Sequence, residues 1–284
     1  MFETTILVLL YKKEFNESKT LNSLLNSYVH YKNAKLVIWN NGPNPLKESS
    51  IIPFIKLGYQ VHLKETLNNE SLAVIYNRFL SYYDSKRYIF LDDDSTLTAS
   101  YITASCKSDT TKISMPIISF QGQVKSPKIS NRPYYLGLEI TQKSKVIAVG
   151  SGLVIGKDVI PFLKKNYLKV FDEKFYLYGV DTTFCLRVFY SKLTNKINII
   201  PGFNHSLSRL EKESNEVKKF RCKERSYERG LIFRYYYSKP KCILILLKDL
   251  FFIFVRMLLK QEKTLEAISL CKAFLYGKHY KNNT

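Results

Sequence analysis

Three consecutive carboxylates, Asp92-Asp93-Asp94, follow directly on the short apolar run Arg87–Leu91. Acidic side chains gathered at the end of a buried strand repel one another unless a cation is among them. Hard divalent ions take oxygen ligands and are commonly held by one or two carboxylates together with substrate phosphates. The triplet therefore reads as a divalent-metal site or as an acidic turn capping the next helix. Two more polar clusters stand at similar junctions, Asn40-Asn41-Gly42 and the alternating segment from Asn69 through Ser71, Ala73 and Ile75 to Asn77. Amides there either satisfy a base and a ribose or do ordinary turn and capping work. Further on, Asp181 opens a helical pattern as a candidate base or N-cap, and His205 follows the last short apolar run.

The elements that must position these residues alternate. Thr4–Tyr11, Lys35–Trp39, Tyr59–Leu63 and Arg87–Leu91 have the length and continuous apolarity of buried strands. Between them Leu21, Leu24, Leu25 and Tyr28 trace one helical face, and Leu72, Ile75, Phe79, Leu80 and Tyr83 trace another. Strand–helix alternation predicts a parallel sheet covered on both sides, with ligands at the carboxyl ends of its strands. Both Asn40–Asn41 and Asp92–Asp94 fall at such ends. After about residue 110, strand-like segments at Ile113–Ser119, Tyr134–Ile140 and Val146–Ile155 follow one another without long helices. A helix near Asp181 and a last strand at Ile197–Ile200 complete a mixed-sheet half.

Composition limits the partners. The 284 residues carry 44 Lys+Arg against 24 Asp+Glu, a formal net charge of +20, yet 45% are hydrophobic. So much apolar material excludes a disordered basic tail protein, and the basic excess points to anionic partners. Five scattered cysteines, none in a C-x-x-C spacing, indicate neither a disulfide framework nor a zinc site, and suit a reducing cytoplasm. The apolar N-terminus lacks a basic lead and a small-residue cleavage site, so it reads as a strand. Residues 217–260 hold twelve basic and three acidic side chains. Within them Ile243–Leu259 is mostly apolar, with Lys241, Lys248, Asp249, Arg256 and Lys260 in one narrow arc of a helix. Such a helix suits the plane of an anionic membrane interface, or alternatively a core or dimer contact.

The ordered motifs resemble those of a family 2 glycosyltransferase with the GT-A fold, of the kind that builds bacterial O-antigen or capsule repeats. The resemblance runs from about Thr4 to Arg209. Trp39-Asn40-Asn41-Gly42 resembles the family's D-N-G-S turn, with Asn40 in place of Asp. Asn69-x-Ser71-x-Ala73-x-Ile75-x-Asn77 is similar to its N-x-G-x-A-x-A-x-N segment, and Phe90-Leu91-Asp92-Asp93-Asp94-Ser95 to its strand-borne D-x-D motif. Gly150-Ser151-Gly152-Leu153-Val154-Ile155 resembles the acceptor-side S-G-x-x-I segment. Phe171-Asp172-Glu173 through Asp181 to Arg187 resembles the second acidic motif, with Val180 where many relatives carry an acid.

The resemblance implies an α/β GT-A chain: a Rossmann-like nucleotide-binding half plus a mixed-sheet acceptor half at 1–210, and a basic, amphipathic helical membrane-associating tail at 211–284. It implies an inverting hexosyltransferase that moves a sugar from a UDP- or dTDP-linked donor to a lipid-diphosphate-linked saccharide. Asp94, Asp92 and His205 would hold Mn²⁺ or Mg²⁺. Tyr11, Asn41, Asn69, Asn77, Asp92, Asp93 and Arg209 would bind the nucleotide sugar, and Asp181 would be the catalytic base. The expected location is cytoplasmic, peripheral on the inner face of the bacterial cell membrane. Two rival readings stand beside it. Asp92-x-Asp94-x-Thr96 superficially matches the nucleophile motif of haloacid-dehalogenase-like phosphatases, but no later G-D-x-x-x-D follows. A basic nucleic-acid-binding protein also fits the charge, although a wide apolar helix beside that charge suits a membrane better and argues against nucleic acid.

Overall fold

The apolar runs Thr4–Tyr11, Lys35–Trp39 and Arg87–Leu91 become strands because a sheet covered on both faces buries most of their side chains, while Tyr59–Leu63 at the sheet edge is only partly buried. The protein's structure, a computed structural model, describes residues 1–135, 137–205 and 214–283. Strands β1 (Phe2–Leu10), β2 (Ala34–Asn40), β3 (Gln60–Glu65) and β4 (Ser85–Asp92) run parallel in the order β3-β2-β1-β4. Their connections carry α1 (Lys19–Asn26), α2 (Ile52–Lys56) and α3 (Leu72–Tyr82). Then follow β5 (Ser95–Thr96), α4 (Ala99–Cys106), β6 (Ile113–Phe120) and β7 (Gln123–Ser126). Next come β8 (Lys128–Ile129), β9 (Arg132–Pro133), β10 (Val146–Ile147), β11 (Leu153–Gly156), α5 (Ile160–Tyr167), α6 (Val180–Tyr190) and β12 (Ile197–His205). The main sheet continues β4-β11-β6-β12-β5, with β7 added on β6; β11 is antiparallel to both neighbours and β12 is parallel to β6. Strands β10, β8 and β9 form a small second sheet.

Period-two alternation decides which core each side chain enters. Ile6, Val8 and Leu10 of β1 and Ile89 and Leu91 of β4 join one cluster with Leu21, Leu24, Phe54 and Tyr101. Phe90 faces the other way, its ring 4.9 Å from Tyr76, 5.2 Å from Phe79 and 5.3 Å from Phe171, each edge-on. Asn77 pins that second core: its Nδ2 donates to the Phe171 carbonyl at 2.9 Å and its Oδ1 accepts the Phe171 amide at 3.0 Å.

Contacts group the chain into two units. Met1–Glu70, Val74–Phe171 and Phe184–Leu207 form the first, which holds both sheets. The second comprises Ser71–Ala73, Asp172–Thr183 and Ser208–Thr284. It contains α7 (Asn215–Tyr236), α8 (Lys239–Leu258), α9 (Ala267–Tyr276) and a short 3-10 turn at Tyr280–Asn283. Gly230 lets α7 and α9 cross closely, since a β-carbon there would lie 2.5 Å from the Leu270 carbonyl oxygen. Phe233, Cys242 and Leu270 bury together, with Ile245, Leu246, Leu250 and Ile253 packed against them. The Glu224 carboxylate is sealed beside this contact, taking the Tyr280 hydroxyl at 2.6 Å with His279 Nε2 at 3.3 Å.

Several expectations change. Tyr28 lies beyond the end of α1 and is 87% exposed, because Ser27 and its neighbours leave the helix before its next turn. Among the described residues of Tyr134–Ile140 there is no strand; Leu138 instead closes a turn on the Tyr135 carbonyl. Val146–Ile155 is two strands, broken where Gly152 adopts φ +84°. The expected charged arc on α8 is also divided. Asp249 is turned inward and buried, gripped through both oxygens by Arg229 of α7, the second contact being 2.9 Å. No helix among the described residues is long and apolar enough to cross a membrane.

Asn77→Leu should lower unfolding free energy by about 2–4 kcal/mol in urea titrations, since it leaves two buried backbone groups of Phe171 without their partners.

Candidate metal centre at the sheet edge

The carboxyl end of β4 carries the acidic triplet into a tight loop whose backbone is held from two sides. From α1, the Thr20 hydroxyl donates to the Asp92 carbonyl at 2.5 Å, while the Thr20 amide and Ser18 hydroxyl donate to the Asp93 carbonyl at 3.2 and 3.1 Å. From the Gly150–Gly152 turn, Ser151 Oγ accepts the Asp92 amide at 3.1 Å and meets Ser95 Oγ at 2.8 Å. That turn needs glycine at 152. A β-carbon there would stand 2.6 Å from Pro116 Cγ, at a φ that L side chains rarely adopt.

With the loop fixed, two-residue β5 pairs antiparallel with the end of β12, setting Ser95 opposite His205. This pairing delivers the histidine to the carboxylates. Ligand atoms of Asp92, Asp94 and His205 all lie within 4.8 Å of one another. His205 Nδ1 is 3.2 Å from Asp94 Oδ1 and 3.0 Å from Ser95 Oγ, and its Nε2 is 3.9 Å from Asp92 Oδ2. Burial pulls the His205 pKa below its ordinary value, against the opposing pull of Asp94 and Asp93, so the ring tends to the neutral form that ligates metals. Asp94 Oδ1 is buried with no hydrogen-bond partner among the described residues. A buried carboxylate oxygen without a donor is costly, and a cation is the natural remedy. The donor set fits a divalent ion.

Asp93 does not join this group. Its carboxyl turns to Lys13 Nζ at 2.5 Å; burial raises its pKa, and Lys13 together with the Tyr11 backbone opposes that rise. Lys13 went unremarked in the sequence, although Lys12-Lys13 directly follows the first strand at the same sheet edge. The Tyr11 ring is 39% exposed, with Lys12 Nζ 5.4 Å from its centroid.

The amide cluster is built more tightly than its residue types suggest. Asn41 is buried. Its Nδ2 donates to Asn69 Oδ1 at 3.1 Å and the Glu70 carbonyl at 2.9 Å, and its Oδ1 accepts the Thr66 hydroxyl at 2.7 Å and the Glu70 amide at 2.8 Å. Asn69 sits at φ +54° to meet it. Asn40, standing where the D-N-G-S pattern has Asp, accepts the Gly42 amide and donates to Glu65. Asn41 and Asn77 thus give their amides to the fold. Asp181 lies half-buried in the first turn of α6 and belongs to the second unit. Arg209 lies outside the described residues.

No family model matches the sequence, and no curated protein matches it. Solved structures do. S. aureus TarS 1-349 in complex with UDP-GlcNAc is 12% identical with a TM-score of 0.51, over 85% of this chain and 69% of that one. GalNAc-T7 with UDP, GalNAc and Mn²⁺ is 11% identical with a TM-score of 0.50, over 80% and 50% of the two chains. The fold is GT-A. Against another S. aureus TarS structure this chain spans 45% of that protein's length.

Asp94→Asn and His205→Gln should each weaken Mn²⁺ binding by at least about tenfold, read by electron paramagnetic resonance of free Mn²⁺, since even residues one step behind a metal's ligands are worth that much.

Proposed function

We propose that this chain is an inverting, metal-dependent hexosyltransferase using a nucleotide-diphosphate sugar. The observation that carries the reading is the Asp92–Asp94–His205 group, with its unsatisfied buried oxygen, at the carboxyl edge of a GT-A sheet. That edge is where open α/β sheets bind ligands. Two carboxylates and one imidazole favour Mn²⁺ over Mg²⁺, which prefers oxygen alone. When bound, the ion supplies positive charge against the diphosphate leaving group. UDP- or dTDP-linked hexoses are the proposed donors. Asn41 and Asn69 are proposed to shape the donor pocket and Asn77 to act through the core behind it, while Tyr11 and Lys12 are the proposed contacts of the nucleotide diphosphate, with Lys13 holding Asp93 beside it. Asp181 is the proposed base, removing the acceptor hydroxyl proton as that oxygen attacks the anomeric carbon from the face opposite the leaving group.

A lipid-diphosphate-linked saccharide of the O-antigen or capsule type is the proposed acceptor, which places the enzyme on the cytoplasmic face of an anionic membrane. Support comes from α8. Leu244, Leu247, Phe251, Phe254 and Leu258 form one outward stripe, each at least half exposed, on the side away from Asp249 and Cys242. Lys241 and Lys248 flank it, within the 217–260 segment that carries a net +9. An apolar stripe bordered by cations is what an anionic bilayer surface attracts.

Thermal unfolding with Mn²⁺ and UDP or dTDP at about a hundredfold over Kd should show about 2.7 kcal/mol of stabilisation, because only the folded state binds. Asp94→Ala should remove that shift and abolish transfer; Asp181→Ala should abolish transfer and keep the shift. No shift with either nucleotide would remove the reading. Paired Leu247→Glu and Phe251→Glu substitutions should lower partitioning onto anionic vesicles by about a hundredfold, each lost apolar insertion being worth roughly 1.5 kcal/mol, with little effect on transfer to a soluble acceptor.

A further inference from the structure

The second unit contains a carboxyl group that the chemistry above leaves unused. Glu228, midway along α7, packs against the turn where α6 begins. Its Oε1 accepts a hydrogen bond from the Thr182 hydroxyl at 3.3 Å. Its Cγ occupies space that a β-carbon on Gly179 would approach to 2.9 Å, and Gly179 has φ +87°. The turn can close onto Glu228 only with glycine there. Asp181 directly precedes Thr182 in the same first turn of α6, so Glu228 is hydrogen-bonded to the turn that carries Asp181.

The surroundings of Glu228 favour its protonated form. Burial is the largest cause that pushes Glu228 up to about 7, and the charge of Asp181 adds to it; the Thr182 hydrogen bond, Arg225 and Arg229 pull the other way. Both arginines are engaged elsewhere. Arg229 grips Asp249 of α8, and Arg225 lies over the Tyr178 ring at 5.9 Å. Among the described residues, the charged groups that act on Glu228 are Asp181 from α6 and Arg225 and Arg229 from its own helix. One turn back, Glu224 is closed off with His279 and Tyr280.

We propose that Glu228 is the positioning residue of Asp181, the pair carrying one negative charge between them, with the proton on Glu228 and the charge on Asp181. The inference rests on Asp181 being the base. In the transfer step the acceptor O–H bond breaks and its proton goes to Asp181. The oxygen forms the new bond to the anomeric carbon, and the nucleoside diphosphate leaves with the electron pair of the old one. Glu228 takes no part in the proton transfer and fixes Thr182. Nearby like charges raise each other's proton affinity, so the state of Glu228 sets the strength of the base.

The test combines carboxyl NMR with pH–rate profiles of the full chain. A glutamate resonance should titrate near pH 7, vanish in Glu228→Gln, and move down by roughly half a pH unit or more in Asp181→Asn, where the like charge is gone. Wild-type kcat should rise about threefold as Glu228 ionises and Asp181 becomes a stronger base. Glu228→Gln, which still accepts the Thr182 hydrogen bond, should be flat over that range with an unchanged KM for the nucleotide sugar. Stability gives a readout without turnover. Because the folded pKa of Glu228 is raised above its unfolded value, its contribution is complete at low pH and is lost as pH rises through about 7. That loss should be absent from Glu228→Gln. An inactive Asp181→Asn together with a Glu228→Gln profile superimposable on wild type would overturn this proposal alone. Full activity in Asp181→Asn would overturn the base assignment and this proposal with it.

Discussion

Mutual repulsion among Asp92, Asp93 and Asp94 is the constraint around which the first unit is arranged. Three adjacent carboxylates at a strand end cannot all be stabilised the same way. The protein separates them. Asp93 is neutralised by Lys13, while Asp92 and Asp94 are directed toward His205. The separation holds because the loop carries almost no freedom of its own: Thr20, Ser18 and Ser151 grip its backbone. Rigid backbone with charged side chains aimed at one point is preorganised for a cation.

Much of this was legible in the residues. Four strands, the two long helical faces and the acidic loop follow from apolar periodicity, and their order places Asn40–Asn41 and Asp92–Asp94 at one edge. What periodicity cannot supply is the partner of a polar side chain. Asn41 and Asn77 have the types of ligand-binding residues, yet each spends its amide on backbone distant in sequence, Glu70 for Asn41 and Phe171 for Asn77. Short strands were equally hidden. β5 has only two residues, too few for any pattern, yet it aligns His205. Tyr134–Ile140 shows the reverse case, apolar residues spaced like a strand whose described members turn instead, the Leu138 amide meeting the Tyr135 carbonyl.

The helices of the second unit show the same limit from another side. A wheel drawn from sequence groups Asp249 with Lys248 and Arg256 as one polar stripe. Arg229, 20 positions earlier, withdraws Asp249 from it and so fixes which side of α8 packs. The polar stripe thereby loses its only carboxylate, and the outward apolar stripe keeps a purely cationic border. Glu228 lay outside every motif, because an isolated glutamate in a basic helix carries no signal until the turn at Gly179 is folded against it.

The pairing of β5 with β12 has a consequence for assembly. β12 joins the sheet last in chain order, and side chains along a strand alternate faces, so a one-residue slip would present Asn204 where His205 belongs. A cation that requires the imidazole would bind only chains in which that strand has seated in the correct register. Metal affinity would then act as a proofreading term, favouring the properly threaded sheet over near-miss pairings of equal hydrophobicity.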